Sequence, residues 1–224
     1  MNEKANRALA EFMRNGPGPG APEEIRKEDK FPKLFKESNI PPRFSLCTFE
    51  NICKSPVLSE IKESFHVARS YADGWLDNRR AGKGILFLGH VGRMKTSLAV
   101  AIANAVMRDY GNTAYFVPMT ELLDNLLVKS RRSNEEYVKY VEHINNVSLL
   151  ILDDFGSEYP NDWIRNKVDA IITHRYNYMK PIIITSNLSV KDILDGYRAR
   201  IFDRLRASSY LCIDRNENSL RRTT

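Results

Sequence analysis

An α/β fold, with a parallel sheet covered by helices on both faces, is what this sequence predicts, and three observations predict it. Short apolar strands alternate with longer amphipathic stretches along most of the chain. Those strands are apolar at consecutive positions, as strands buried on both faces are. At least one of them ends in a glycine-containing loop that opens directly into a helix.

The chain has 224 residues, 42% of them hydrophobic, enough for one main folded unit with an appended arm. Its 34 Lys and Arg against 28 Asp and Glu leave a formal charge of +6, compatible with a nucleic-acid partner without requiring one. Cys47, Cys53 and Cys212 are odd in number and lack C-x-x-C spacing, which argues against a zinc knuckle or a disulfide framework and for a reduced, cytoplasmic compartment. Glu3, Lys4, Arg7 and Glu11 interrupt the first residues, so no signal peptide is expected. No apolar run approaches the ~20 residues of a membrane span, so no membrane partner is expected either.

Residues 2–14 bear Ala5, Leu9, Phe12 and Met13 at helical spacing and lead into Gly16-Pro17-Gly18-Pro19-Gly20-Ala21-Pro22, a segment that continues no regular element. A charged stretch over 23–37 and Ile40-Pro41-Pro42-Arg43-Phe44 follow. The chain therefore divides into an N-terminal arm and linker, 1–45, and a main domain, 46–224. Within the domain, Ile61, Phe65, Ala68, Ala72 and Leu76 mark a helix, and Gly84–Leu88 a buried strand. A helix over Lys95–Tyr110, a strand over Thr113–Pro118, helical material over Thr120–Ile144 and a strand over Ser148–Leu152 come next. A helix at Trp163–Tyr178 leads to the strand Pro181–Thr185, short helices at Val190–Leu194 and Ile201–Leu205, and a last strand at Tyr210–Ile213. No internal repeat is present.

The chemistry concentrates where these strands end. Gly89-His-Val91-Gly92-Arg93-Met94-Lys95-Thr96-Ser97 closes a buried strand and starts a helix, close to the phosphate-binding pattern G-x-x-x-x-G-K-[ST]. Backbone N–H groups of such a loop and the positive end of the helix dipole face an anion, the lysine reaches terminal phosphates, and the Thr96 hydroxyl is placed to ligate Mg²⁺. Met94 stands where the pattern has glycine, and an ordinary strand-to-helix turn is the alternative reading. Leu149-Leu150-Ile151-Leu152-Asp153-Asp154 is an apolar strand ending in paired carboxylates. Asp153 suits a Mg²⁺ ligand and Asp154 a group that orients or deprotonates an attacking water, unless the pair is simply a solvated turn before Gly156.

Ser186-Asn187 ends a third strand. In a parallel sheet that end lies beside the carboxylates, where Asn187 would position a water, and the competing role is to cap the next helix. Arg200 and Arg204 share a helix face; they suit either a transferring phosphate or pairing with Asp203 and Asp195 on a solvated helix. Lys129, Arg131 and Arg132, followed by Tyr137 and Tyr140, offer either a single-stranded DNA surface or a solvated helix end.

The ordered set Ile40-Pro-Pro-Arg-Phe44, Cys47-Thr-Phe-Glu50, Gly89 to Thr96, Leu150-Ile-Leu-Asp-Asp-Phe-Gly-Ser-Glu158, Ile184-Thr-Ser-Asn-Leu188 and Arg200-Ile-Phe-Asp-Arg-Leu205 resembles the DnaC and DnaI helicase loaders and the IstB-type transposition helpers, all AAA+ P-loop ATPases. The resemblance spans about residues 40–224. It implies Lys95 and Thr96 as Walker A, Asp153 and Asp154 as Walker B, Asn187 as sensor 1, Arg204 as an arginine finger across a subunit interface with Arg200 close by, and Arg221 as sensor 2. It also implies an ATP- and Mg²⁺-dependent homo-oligomer that binds single-stranded DNA and a hexameric replicative DNA helicase, the helicase through the N-terminal part. A transposition helper and a non-hydrolysing adaptor are the alternatives within the same fold, the latter because of Met94.

Overall fold

Strand β1 (Gly84–Gly89) runs through the middle of the molecule, and Ile85 to Leu88 are almost wholly shielded from solvent. The computed structural model describes residues 30–157, 162–196, 199–214, 216 and 218–220. Four further strands are β2 (Ala114–Pro118), β3 (Leu149–Asp153), β4 (Ile182–Ser186) and β5 (Ser209–Asp214), and the five form one sheet in the order β2-β3-β4-β1-β5. All the pairings are parallel. Parallel neighbours need crossover connections, and the helices supplying them cover both faces, which is why the strands read as unbroken apolar runs.

Ten helices are described: α1 (Phe31–Glu37), α2 (Phe49–Cys53), α3 (Lys62–Asp73), α4 (Trp75–Arg80), α5 (Lys95–Tyr110), α6 (Met119–Arg132), α7 (Asn134–Asn146), α8 (Asp162–Asn177), α9 (Val190–Gly196) and α10 (Ala199–Ser208). The structure departs from the predicted elements in two instructive places. The helix expected through Leu76 divides at Gly74, which lies outside the helical region at φ −90°, ψ 20°. The material expected over Thr120–Ile144 divides at Ser133, whose extended backbone ends α6 while its side chain accepts a hydrogen bond from the Glu135 N–H and caps α7. Serine competes with helical backbone bonding through its own hydroxyl, so a break there is chemically natural.

Two clusters make the core, one on each face of the sheet. On one face α5, buried along most of its length, packs with α3 against Ile85, Phe87, Ile151 and Ile183. On the other, α6, α7, α8 and α10 pack against Leu86, Leu88, Leu150, Leu152 and Ile184. Residues 31–44, assigned from sequence to the arm, sit on the first face: Phe31, Leu34, Phe35 and Phe44 pack against that cluster and Ile40 is buried in it. Ser38 accepts from the Phe116 N–H at 2.8 Å and Asn39 donates to the Phe116 carbonyl at 3.0 Å, so this segment continues hydrogen bonding at the outer edge of β2. The amphipathic stretch 2–14 and the Gly/Pro linker lie outside the described residues.

Arg175 of α8 is fully buried and bonds to backbone carbonyls: Ile144, Asn145, Val147 and Pro181. It ties the end of α7 to the start of β4 and consumes acceptors that a helix end would otherwise leave orphaned. Burial pulls its guanidinium down to about 9.

Candidate nucleotide-binding site

Because β4 lies between β1 and β3, three strand ends converge at the carboxyl edge of the sheet. The loop after β1, the carboxylates ending β3 and the polar end of β4 line a cleft of about 570 Å³. Gly89, Gly92 and Met94 all take positive φ (148°, 84° and 61°), and Met94 is the left-handed N-cap residue from which α5 starts. A Cβ at Gly92 would come within 2.2 Å of the Ser219 hydroxyl, so glycine there is a packing as well as a conformational requirement. The first turn of α5 points its N–H groups and the positive end of its dipole at the cleft.

The site's side chains form one hydrogen-bonded network. Lys95, mostly buried, donates from Nζ to the Gly89 and His90 carbonyls, each at 2.7 Å, and to Asn187 Oδ1 at 2.8 Å. Asn187 Nδ2 in turn donates to Asp154 Oδ1 at 2.7 Å. In parallel, the Thr96 hydroxyl donates to Asp153 Oδ1 at 2.8 Å and the Thr185 hydroxyl to the same oxygen at 2.6 Å. The Asp154 N–H donates back to Thr185 Oγ1 at 3.0 Å. Asp154 itself sits at φ 55°, a left-handed turn that aims its carboxylate at Asn187 instead of along the strand. Burial pushes the Asp153 carboxyl above the ordinary carboxylate range, against the lowering effect of the Thr185 and Thr96 hydrogen bonds.

Of the residues singled out from sequence, Val91, Gly92, Arg93, Met94, Lys95, Thr96, Ser97, Asp153, Asp154 and Asn187 all border this cleft, with Gly89 beside it as an acceptor for Lys95. The Arg93 side chain is an exception in direction, since it is fully enclosed and bonds to protein groups on the far side of the loop. Arg200 and Arg204 do not border the cleft. Both reach across from α10 to the buried Asp169 of α8, Arg204 Nη1 at 3.1 Å from Oδ1 and Arg200 onto Oδ2, and neither Asp203 nor Asp195 is the partner. Arg221 lies outside the described residues.

Sequence reading passed over Thr185 as a site residue, although a hydroxyl near the end of an otherwise apolar buried strand is a readable signal. Arg43, Phe44, Cys47 and Leu220, given no site role from sequence, also line the cleft. The Pro-Pro before Arg43 was a local hint of a fixed turn; nothing local marks Leu220. Burial raises the Cys47 thiol, with a hydrogen bond from Ser97 opposing it.

Lys129, Arg131, Arg132, Tyr137 and Tyr140, read as a DNA surface, do not border the cleft, and Lys167 and Trp163 join this group at Tyr137. Lys129 Nζ sits 5.4 Å from the Tyr140 ring centre, and Lys167 Nζ sits 5.0 Å from that of Tyr137 and 5.7 Å from that of the partly exposed Trp163. Arg131 and Arg132 are exposed at the end of α6. No helix among the described residues is long and apolar enough to cross a membrane.

Residues 72–222 match the model of the family described as IstB-like ATP binding protein. The replicative helicase loader DnaC of Escherichia coli strain K12 is 23% identical over 195 residues, covering 86% of this chain and 76% of DnaC. Among solved structures, that of the DnaC helicase loader superposes with a TM-score of 0.69 and 25% identity over 77% of this chain and 99% of that one. The replication initiator DnaA bound to AMPPCP and single-stranded DNA gives a TM-score of 0.64 at 19% identity, over 78% of this chain and 50% of that one, a likeness of fold.

Proposed function

The chain belongs to the family of IstB-like ATP-binding proteins, and from that premise we propose that it is an ATP-hydrolysing loader of a replicative DNA helicase. The observation that carries this is the network joining Lys95, Asn187 and Asp154 beside the Thr96–Asp153 pair, in a cleft at the carboxyl edge of a parallel sheet. Phosphoryl transfer depends on positioning and charge stabilisation, and these groups supply both. In this reading the loop N–H groups and Lys95 hold the phosphates, Asp154 accepts the proton of an attacking water, and Asn187 fixes that water's place.

The residues present also suit Mg²⁺. Thr96 and Asp153 bring one hydroxyl and one carboxylate oxygen within 2.8 Å of each other, a sparse oxygen set of the kind Mg²⁺ accepts when phosphate and water complete its shell. When bound, the ion neutralises charge on the phosphate oxygens.

Arg204, with Arg200, is assigned to the neighbouring subunit's nucleotide in a homo-oligomer, and the Lys129, Tyr137, Tyr140, Lys167 and Trp163 surface to single-stranded DNA. The likeness to a protein named replicative helicase loader supports the helicase as partner, and we assign that contact to the part of the 1–45 arm that precedes the segment packed on the core. The ATPase unit in this reading is the domain over 46–224 together with the segment 31–44 that packs on its core and supplies Arg43 and Phe44 to the cleft.

The deciding experiment measures ATP hydrolysis with and without single-stranded DNA over a range of protein concentrations, for the wild type, Lys95→Ala and Arg204→Ala. Turnover that rises steeply with concentration and is lost in both variants supports the oligomeric ATPase. Nucleotide binding without turnover in any of them overturns hydrolysis and leaves the second reading, a non-hydrolysing adaptor. That reading is favoured by one observation, the side-chain-bearing Met94 in the left-handed position before Lys95.

A further inference from the structure

Met94 breaks the local rule for a phosphate loop. Its backbone lies at φ 61°, ψ 12°, a region unfavourable for a residue with a Cβ and almost free for glycine. Such a conformation persists only where the surroundings impose it. The adjacent residue is where they do so. Arg93 has no solvent-exposed side-chain surface, and its guanidinium makes a hydrogen bond on each of its nitrogens: Nε to Asp214 Oδ2 at 2.8 Å, Nη2 to the Glu60 carbonyl at 2.7 Å, and Nη1 to the Asn218 carbonyl at 3.2 Å. Those partners belong to three separate pieces of chain: the end of β5, the 3₁₀ turn Pro56–Ile61 and the segment that follows β5. That last segment returns the contact, since the Leu220 N–H donates to the Gly92 carbonyl at 3.3 Å and the Ser219 side chain fills the space a Gly92 Cβ would need. Asp214 is itself held, its Oδ1 accepting from the Asn216 N–H at 2.9 Å.

We propose that Arg93 is a positioning residue of the phosphate loop: its enclosed guanidinium, fastened to Asp214, Glu60 and Asn218, imposes the left-handed backbone at Met94 that glycine would adopt unaided. The pair Arg93-Met94 thus replaces intrinsic freedom with external support. Planar guanidinium geometry suits this task, because its donors diverge in fixed directions towards separate acceptors, which an ammonium cannot reproduce. The loop is then shaped during folding, so that nucleotide does not have to reshape it on binding. This rests on the reading above that the loop holds the phosphates of a nucleoside triphosphate.

The test is a fluorescence titration with mant-ATP, supported by circular dichroism and thermal melting to establish folding, on the wild type, Arg93→Lys, Arg93→Ala, Met94→Gly and the Arg93→Ala/Met94→Gly double variant. Arg93→Ala is expected to weaken binding about tenfold, the size of the left-handed penalty when it must be met at the binding step. Arg93→Lys recovers only part of that loss. Met94→Gly is expected to raise affinity far more in the Arg93→Ala background, where it restores most of the loss, than in the wild-type background, a non-additivity that a merely structural role would not produce. Losses that simply persist in the double variant overturn the proposal, as does wild-type affinity in folded Arg93→Ala. Should Arg93→Ala not fold, Asp214→Asn removes only the ionic partner, and the same recovery by Met94→Gly is expected; its absence is again fatal. A folded wild type that does not bind mant-ATP is a different failure, removing the nucleotide reading and the proposal built on it together.

Discussion

Lys95 and Asn187, 92 positions apart in sequence, meet at 2.8 Å, ammonium to amide oxygen. The amide group of Asn187 is fully oriented by this contact, because its oxygen faces the lysine and its nitrogen therefore faces Asp154 at 2.7 Å. One side chain thus reads the phosphate loop on one side and the carboxylate on the other.

Replacing Asn187 with Ala should lower ATP turnover by about 100-fold, the scale seen when one preorganised polar contact to a reacting group is lost, while mant-ATP affinity changes by only a few fold. Steady-state kinetics beside a binding titration check this, and a loss confined to affinity would contradict a role at the reacting water.

Thr185→Val removes the hydroxyl that both donates to Asp153 and accepts from the Asp154 N–H. Both bonds are partly buried and Asp153 keeps the Thr96 hydroxyl as a donor, so their loss should cost about 1 kcal/mol in thermal or urea unfolding. Burial already raises the Asp153 carboxyl, and Thr185 is the first influence opposing it. Because the fold raises this carboxyl, its ionised form costs stability in full above the raised pKa, and the apo protein regains that stability as pH falls through it towards the ordinary aspartate value, the reverse of an ion-paired aspartate. Mg²⁺-dependent nucleotide binding should move the other way, fading on acidification at a higher pH than an ordinary aspartate would give, and at a higher pH still in Thr185→Val. Titrations in Mg²⁺ and in EDTA across the acid range separate the two effects.

Arg175→Met should be among the most damaging changes in the chain although it lies far from the cleft. It takes a donor from the carbonyls of Ile144, Asn145, Val147 and Pro181, of which Pro181 keeps the Leu150 N–H, at about 3 kcal/mol in total. For a chain of this size that corresponds to a melting temperature lower by roughly 10 °C. A shift of one or two degrees would mean that water replaces the guanidinium.

Arg204 is held by Asp169 within its own chain. If it serves the neighbouring subunit, Arg204→Ala and Lys95→Ala proteins, each inactive alone, should regain part of the wild-type turnover when mixed, since mixed assemblies contain sites with an intact lysine and an intact arginine. No recovery on mixing would place the arginine's effect within its own subunit.

Trp163→Ala and Lys167→Ala should each weaken single-stranded DNA binding, the tryptophan by about 1–3 kcal/mol if a base stacks on it and the lysine with a shallower salt dependence. Fluorescence anisotropy with a labelled oligonucleotide at several salt concentrations distinguishes these from variants that leave binding untouched.

The unbroken apolar strands and the Gly-rich turn into α5 were legible in the sequence because their causes are local: hydrophobic periodicity, turn chemistry and the position of Lys95 and Thr96 in a helix's first turn. The same holds for the carboxylates at the end of β3. Other features were decided by the sheet order. Nothing in the chain's linear order says that β4 inserts between β1 and β3, and only that insertion puts Asn187 between Lys95 and Asp154 and Thr185 against Asp153. Arg93 read as a nucleotide ligand because it sits in the loop, yet its guanidinium turns away to Asp214, Glu60 and Asn218; Arg204 read as a group for a transferring phosphate or else as paired with Asp203 and Asp195, and within its own chain it meets Asp169. A long charged side chain goes where a buried carboxylate or an orphaned carbonyl lowers its free energy most. Which of those lie within reach is settled by packing between distant segments, a property that sequence periodicity does not carry.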